Sequence, residues 1–126
     1  MTQARLSLRI DLPQGRIGPG KVALLETIAA EGSISAAGRK LGMSYRRAWA
    51  LVESLNRTAG TVVTPTIGGA GGGGAKLTTK GETIIKAYRA IEAAAHATAQ
   101  PYLTQLQESE GRRGSAATPP DTPAGT

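Results

Sequence analysis

Two successive apolar-periodic runs, each opened by a serine and separated only by Gly42-Met43, leave this chain few folding options. Ser33 precedes a run in which Ile34, Ala37, Gly38 and Leu41 fall at i, i+3, i+4 and i+7. Ser44 precedes a second run in which Ala48, Leu51, Val52 and Leu55 repeat that apolar spacing until Gly60. A serine hydroxyl at such a position accepts a bond from an amide that the first helical turn leaves unpaired, so both are predicted N-caps. A short helix ending at Leu41, a turn around Gly42 and a third helix starting at Ser44 make the outline of a helix-turn-helix.

The flanks complete the pattern. Leu6, Leu8 and Ile10 alternate with Ser7 and Arg9, the period of a half-buried strand that Pro13 ends. From Lys21 the spacing changes to Val22, Leu25, Ile28 and Ala29, which predicts a helix closed by Gly32. Val62, Val63 and Thr64 are β-branched and precede Pro65, so they read as a short strand, with Ala75-Lys76-Leu77-Thr78 as the returning one. Thr78 or Thr79 can then cap a long final helix, whose stripe is Ile84, Ile85, Tyr88, Ile91, Ala95, Tyr102, Leu103 and Leu106. Pro101 is expected to kink it or start a fresh turn. The resulting class is mainly α with a small β wing. Its expected parts are an N-terminal strand region (1–17), a winged helix-turn-helix (18–80), a C-terminal helix (81–108) and a disordered Pro/Gly/Ser/Thr tail (109–126).

Between the two wing strands lie six glycines in the seven positions from Gly68 to Gly74. A P-loop requires Gly-Lys-Ser/Thr, whereas Gly74 is followed by Ala75-Lys76-Leu77. A dinucleotide fingerprint requires a helix directly after the glycines, and here a strand comes first. What remains is a hairpin tip, either an inert connector or a wing whose side-chain-free backbone lies against a sugar-phosphate surface. Its position before Lys76, Thr78 and Lys80 favours the wing.

The charge distribution narrows the function. The formal charge is +6, and residues 33–80 hold seven basic side chains against the single acid Glu53, so the whole excess lies in one segment. Localised positive charge is the footprint of a nucleic-acid binder. The chain has no cysteine, which excludes disulfides and thiolate metal sites. Its two aspartates, Asp11 and Asp121, lie outside the basic segment, and His96 stands among alanines without a ligand partner. No catalytic constellation can be assembled, and neither an enzymatic activity nor a cofactor or metal is expected. The N-terminus lacks the apolar core of a signal peptide, and no run reaches the roughly 18–20 apolar residues of a membrane span. A cytoplasmic protein with no membrane association is expected.

Rotated at about 100° per residue, the third helix turns Arg46, Ala50, Glu53 and Arg57 away from its apolar stripe, with Arg47 on a flank. Arg46 and Arg47, in the first turn, are placed to meet base edges, and small Ala50 lets a groove approach. Ser33, Ser35, Ser44 and Tyr45 are candidate DNA contacts beside them, with Gly71, Gly72, Gly73, Lys76, Thr78 and Lys80 in the wing. Arg57 is expected to pair with Glu53 four residues earlier. Trp49, on the border of the stripe, reads as core. Arg39 and Lys40 can either contact phosphate or offset their own helix dipole.

The stretch EGSISAAGRKLGMSYRRAWALVESLN, followed by GGAGGGGAKLTTKG, resembles the N-terminal DNA-binding domain of the ModE-type molybdate-responsive transcription regulators. The marks are Gly-Ser-Ile-Ser at 32–35, Gly-Met-Ser-Tyr at 42–45, Ala48-Trp49, and the glycine wing running into Ala75-Lys76-Leu77-Thr78 and Gly81. A more distant similarity to the LysR-type module follows. The resemblance implies a homodimer on double-stranded DNA, joined largely through the first strand region and the long helix, with two recognition helices reading a palindromic operator. Ile84, Ile85, Tyr88, Ile91 and Ala95 are the expected interface residues. Members of that family carry C-terminal oxyanion-binding modules, and this chain is expected to be a stand-alone DNA-binding version that does not itself bind molybdate. Two rival functions share the composition: a module that heterodimerises with a full-length regulator, and a non-specific architectural DNA binder.

Overall fold

A computed structural model describes residues 3–67 and 73–116, with side chains as far as Ser109. Both serine caps form: Ser33 Oγ accepts from the Ala36 amide at 3.0 Å and Ser44 Oγ from the Arg47 amide at 3.1 Å. The elements in order are β1 (Ile10–Leu12), β2 (Gly15–Ile17), α1 (Pro19–Glu31), α2 (Ile34–Leu41), α3 (Tyr45–Ala59), β3 (Val63–Thr66), β4 (Gly74–Leu77) and α4 (Thr79–Ala116). This is a mainly α winged-helix fold with two small antiparallel strand pairs.

The chain divides into two units, Ser7–Glu92 and Met1–Leu6 with Ala93–Thr126. In the larger unit, α1 ends on Gly32 and α2 on Gly42, both left-handed, with φ of 82° and 72°. Glycine adopts that conformation without the Cβ penalty, which lets the chain reverse direction twice within a few residues. α2 and α3 approach closely because Gly38 has no side chain: a Cβ there would stand 3.3 Å from both the Ala48 Cβ and the Met43 carbonyl. The core consists of Val22, Leu24, Leu25 and Ile28 from α1, Ala37, then Ala48, Val52 and Leu55 from α3. Ile17, Val62, Val63, Ala75 and Tyr88 close it.

Several expectations are revised. The first strand begins only at Ile10 and belongs to a hairpin, pairing Ile10 with Ile17, Asp11 with Arg16 and Leu12 with Gly15. Three residues are too few to display a period, so β2 left no readable signal. Tyr88, expected on a dimer face, is wholly buried within its own chain, and its hydroxyl donates to the Leu8 carbonyl at 2.8 Å. Burial together with the nearby Glu92 charge raises the pKa of that phenol. A 3.6-residue stripe identifies an apolar face but not which molecule covers it.

α4 starts as expected, with Thr78 Oγ1 accepting from the Gly81 amide at 3.2 Å. Arg89 then fastens α4 to α1: its Nε and Nη2 donate to the two carboxylate oxygens of Glu26 at 2.9 and 2.7 Å, while Nη1 donates to Glu92 at 2.6 Å. The guanidinium holds the Glu26 carboxyl below its ordinary pKa, and the two carboxylates push the pKa of Arg89 further up. α4 continues past the expected end at 108 to Ala116 and contains Pro101 without a break. Once a helix is nucleated, each further residue adds one backbone bond, so an unremarkable sequence can prolong it. In the smaller unit, the Ala4 amide donates to Gln107 Oε1 at 2.7 Å, and His96 Nε2 lies 3.2 Å from the Leu6 carbonyl.

Candidate nucleic-acid interface

α3 is positioned from both ends. At its start the Ser44 cap fixes the first turn, and Tyr45, Arg46 and Arg47 all stand exposed. At its end Asn56 Oδ1 accepts from the amides of Val62 at 2.8 Å and Val63 at 3.4 Å, which ties the helix to the first wing strand. Among the described residues, neither Arg46 nor Arg47 has a carboxylate within 4.0 Å. The one acid on this helix, Glu53, lies 3.6 Å from Arg57, as expected. Two exposed guanidinium groups therefore stand at the start of a well-anchored helix with no ion-pair partner among the described residues.

The wing is anchored as well. β3 and β4 pair Val63 with Leu77, Thr64 with Lys76, Pro65 with Ala75 and Thr66 with Gly74. The Ala75 amide donates to the Gly32 carbonyl at 2.9 Å, so β4 is bonded to the end of α1. A side chain at Gly74 would collide with Thr66 Oγ1 and crowd the Gly32 carbonyl at 3.2 Å, so this glycine is required for the contact. Lys76 and Gly73 are exposed. Gly71 and Gly72, together with the rest of 68–72, lie outside the described residues, as does the tail from 117.

Other candidates are engaged within the chain. The Ser33 hydroxyl caps α2, and Ser35 Oγ accepts from Arg39 Nη1 at 3.0 Å. Thr78 Oγ1 donates to the Thr61 carbonyl at 2.7 Å besides capping α4. Lys80 is exposed, and its Cε passes Gly60, where a Cβ would lie 3.6 Å away, at the C-terminal end of α3, where a cation is electrostatically favourable. Lys40 Nζ is 4.0 Å from Glu31 Oε2.

What the residue pattern missed is Trp49. It is 42 % exposed, not core, and with Tyr45 it lines a cavity of about 360 Å³ between α3, the start of α2 and the wing. Ile34, Pro65 and Gly74 are also in its lining. The buried residues of α3 are Ala48, Val52 and Leu55, and the indole lies outside them. No group of three potential metal-ligating residues occurs among the described residues, and no helix among them is long and apolar enough to cross a membrane.

A capped helix whose first-turn arginines have no carboxylate within 4.0 Å among the described residues, beside an anchored hairpin, is the arrangement of a winged helix-turn-helix. Comparison with known proteins gives its relatives. The chain is 53 % identical over 79 residues, 62 % of its length, to the molybdenum-pterin-binding protein MopB of Rhodobacter capsulatus, of which it covers 29 %. It is 38 % identical over 90 residues, 71 % of its length, to the molybdenum transport protein ModE of Azotobacter vinelandii, covering 33 %. It is likewise 38 % identical over 88 residues, 68 % of its length, to the DNA-binding transcriptional dual regulator ModE of Escherichia coli (strain K12), covering 34 %. No family model matches. The chain's homologues are thus ModE and the MopA and MopB proteins, and the match is consistent with a domain of the ModE type. It spans about a third of the length of these curated relatives.

Proposed function

We propose that this chain is a DNA-binding transcriptional regulator linked to molybdenum metabolism, acting in the cytoplasm. It reads double-stranded DNA by laying α3 in the major groove and the wing along the backbone. The observation that carries this is the pair Arg46 and Arg47, exposed and with no carboxylate within 4.0 Å among the described residues, on the first turn of a helix anchored at both ends. Arginine forks match the paired acceptors of guanine, while the remaining cations supply salt-dependent phosphate affinity.

A palindromic operator read by a homodimer fits the same geometry, with half-sites roughly 34 Å apart. Ile91, 48 % exposed, is the exposed large apolar residue on the part of α4 in the larger unit, with half-buried Ile84 and Ile85 on the same helix. In the smaller unit, half-buried Ala95 and exposed Tyr102 and Leu106 offer further surface. Light scattering on the purified chain measures this directly, and a monomer at micromolar concentration contradicts it.

The test of DNA reading is selection of bound duplexes from a random pool, followed by titrations of two variants. Arg46→Ala is expected to relax preference at one base pair by about 1–3 kcal/mol, and Lys76→Ala to weaken all sequences alike. Equal losses on selected and random DNA from both changes would remove the division of labour. Absence of binding to any duplex at low salt would remove the function.

A further inference from the structure

We infer that Tyr45 and Trp49 form an apolar reading shelf on α3 that takes thymine C5-methyl groups. The inference rests on the proposal that α3 enters the major groove, and it adds a second kind of base recognition to the arginines.

Four observations converge. Tyr45 and Trp49 are 56 % and 42 % exposed and stand one helical turn apart, so both present aromatic surface on the same side of α3. Together with Arg46, Ala50 and Glu53 they line a shallow hollow on the outer side of the helix. Toward the wing, the same two aromatics line the cavity with Ile34 and Pro65, so the indole separates two apolar surfaces. The core is complete without them, since the buried residues of α3 are Ala48, Val52 and Leu55.

The charge around the shelf selects its occupant. Arg46 adjoins it without an acidic partner among the described residues, and its one acid, Glu53, is offset by Arg57. A polyanion is favoured there. On the major-groove edge of duplex DNA the apolar group that such a surface can cover is the C5-methyl of thymine. The spacing agrees: four residues rise about 6 Å along a helix, close to two base steps of about 3.4 Å each.

The experiment uses duplexes selected by the full chain. Each thymine in the selected site is replaced singly by deoxyuridine, which differs only in lacking the methyl group, and affinity is followed by fluorescence anisotropy. For the unaltered chain, uracil at one or two positions is expected to weaken binding about fourfold, the equivalent of one buried methylene. Trp49→Ala is expected to weaken the thymine site and to become indifferent to uracil at one of those positions, while Arg46→Ala keeps its sensitivity there. Tyr45→Ala serves as the second variant, with circular dichroism verifying that each variant folds.

A selected site without thymine, uracil tolerated at every position, or both aromatic variants retaining full uracil sensitivity would each overturn the shelf while leaving DNA reading intact. Preference for single strands, with aromatic stacking in place of methyl contact, would overturn it too. If no duplex binds at all, the underlying function fails, and the shelf fails with it.

Discussion

Tyr45-Arg46 and Tyr88-Arg89 are the same dipeptide on two helices, and the protein uses them in opposite ways. Tyr88 is fully buried and hydrogen-bonded, and Arg89 is held by two carboxylates. Tyr45 is 56 % exposed, and Arg46 has no carboxylate within 4.0 Å among the described residues. The first pair holds α4 against α1. The second is left free at the start of α3. The difference lies in the neighbours: α1 supplies Glu26 to one arginine, whereas residues 33–52 contain no acid at all to meet the other. A tyrosine-arginine pair is therefore scaffold where charge and cavity are complementary, and exposed surface where they are not.

The largest expected effect breaks the comparison directly. Tyr88→Ala should cost about 3–5 kcal/mol of stability, as aromatic truncations in cores do, while Tyr45→Ala should cost less than about 1. Denaturant unfolding followed by circular dichroism gives both values, and comparable losses would mean that the two tyrosines are not in different environments. The next effect concerns the α4 start that carries Tyr88 into place. A Cβ at Gly81 would lie 2.5 Å from the Val62 carbonyl oxygen, so Gly81→Ala forces backbone apart and should cost about 1–3 kcal/mol. Gly20→Ala, where a Cβ meets nothing within 4 Å, is the control and should not destabilise.

Smaller again is the cap at the start of α3. Ser44→Ala should lower stability by about 1 kcal/mol, and Ser44→Asp should retain it in thermal unfolding. The smallest effect sharpens the contrast between the arginines. Glu26→Gln should cost no more than about 1 kcal/mol, since both partners are more than a third exposed and solvent screens the pair. Because Glu26 has a lowered pKa in the folded chain, its contribution is complete above the ordinary glutamate range and is lost as pH falls through the lower folded value. The stability difference between Glu26→Gln and the unaltered chain should therefore shrink on acidification. A constant difference would mean that the ion pair contributes nothing.

Much of the local structure around the proposed reading surface was legible from residue order. The serine caps, the left-handed glycines at 32 and 42 and the Glu53–Arg57 pair are all local, decided by side chains within a few positions of the backbone they act on. Asn56 and Trp49 were not legible. Asn56 acts on amides six and seven residues away, across a turn whose geometry no short-range pattern specifies. Trp49 lies on the border of a helical stripe, where exposure depends on what packs alongside.

The amino-acid sequence alone determined where α2 and α3 begin and where α1, α2 and α3 end, and that its positive charge is gathered in one segment. Capping, periodicity and formal charge are properties of neighbouring residues, and they survive in any fold. Only the tertiary structure decided which aromatic is core and which is surface, and which arginine is clamped. Those outcomes depend on the shape and charge brought up by α1, the wing and the N-terminal segment from distant parts of the chain. Burial and ion pairing are properties of the assembled neighbourhood, so identical dipeptides can have opposite fates.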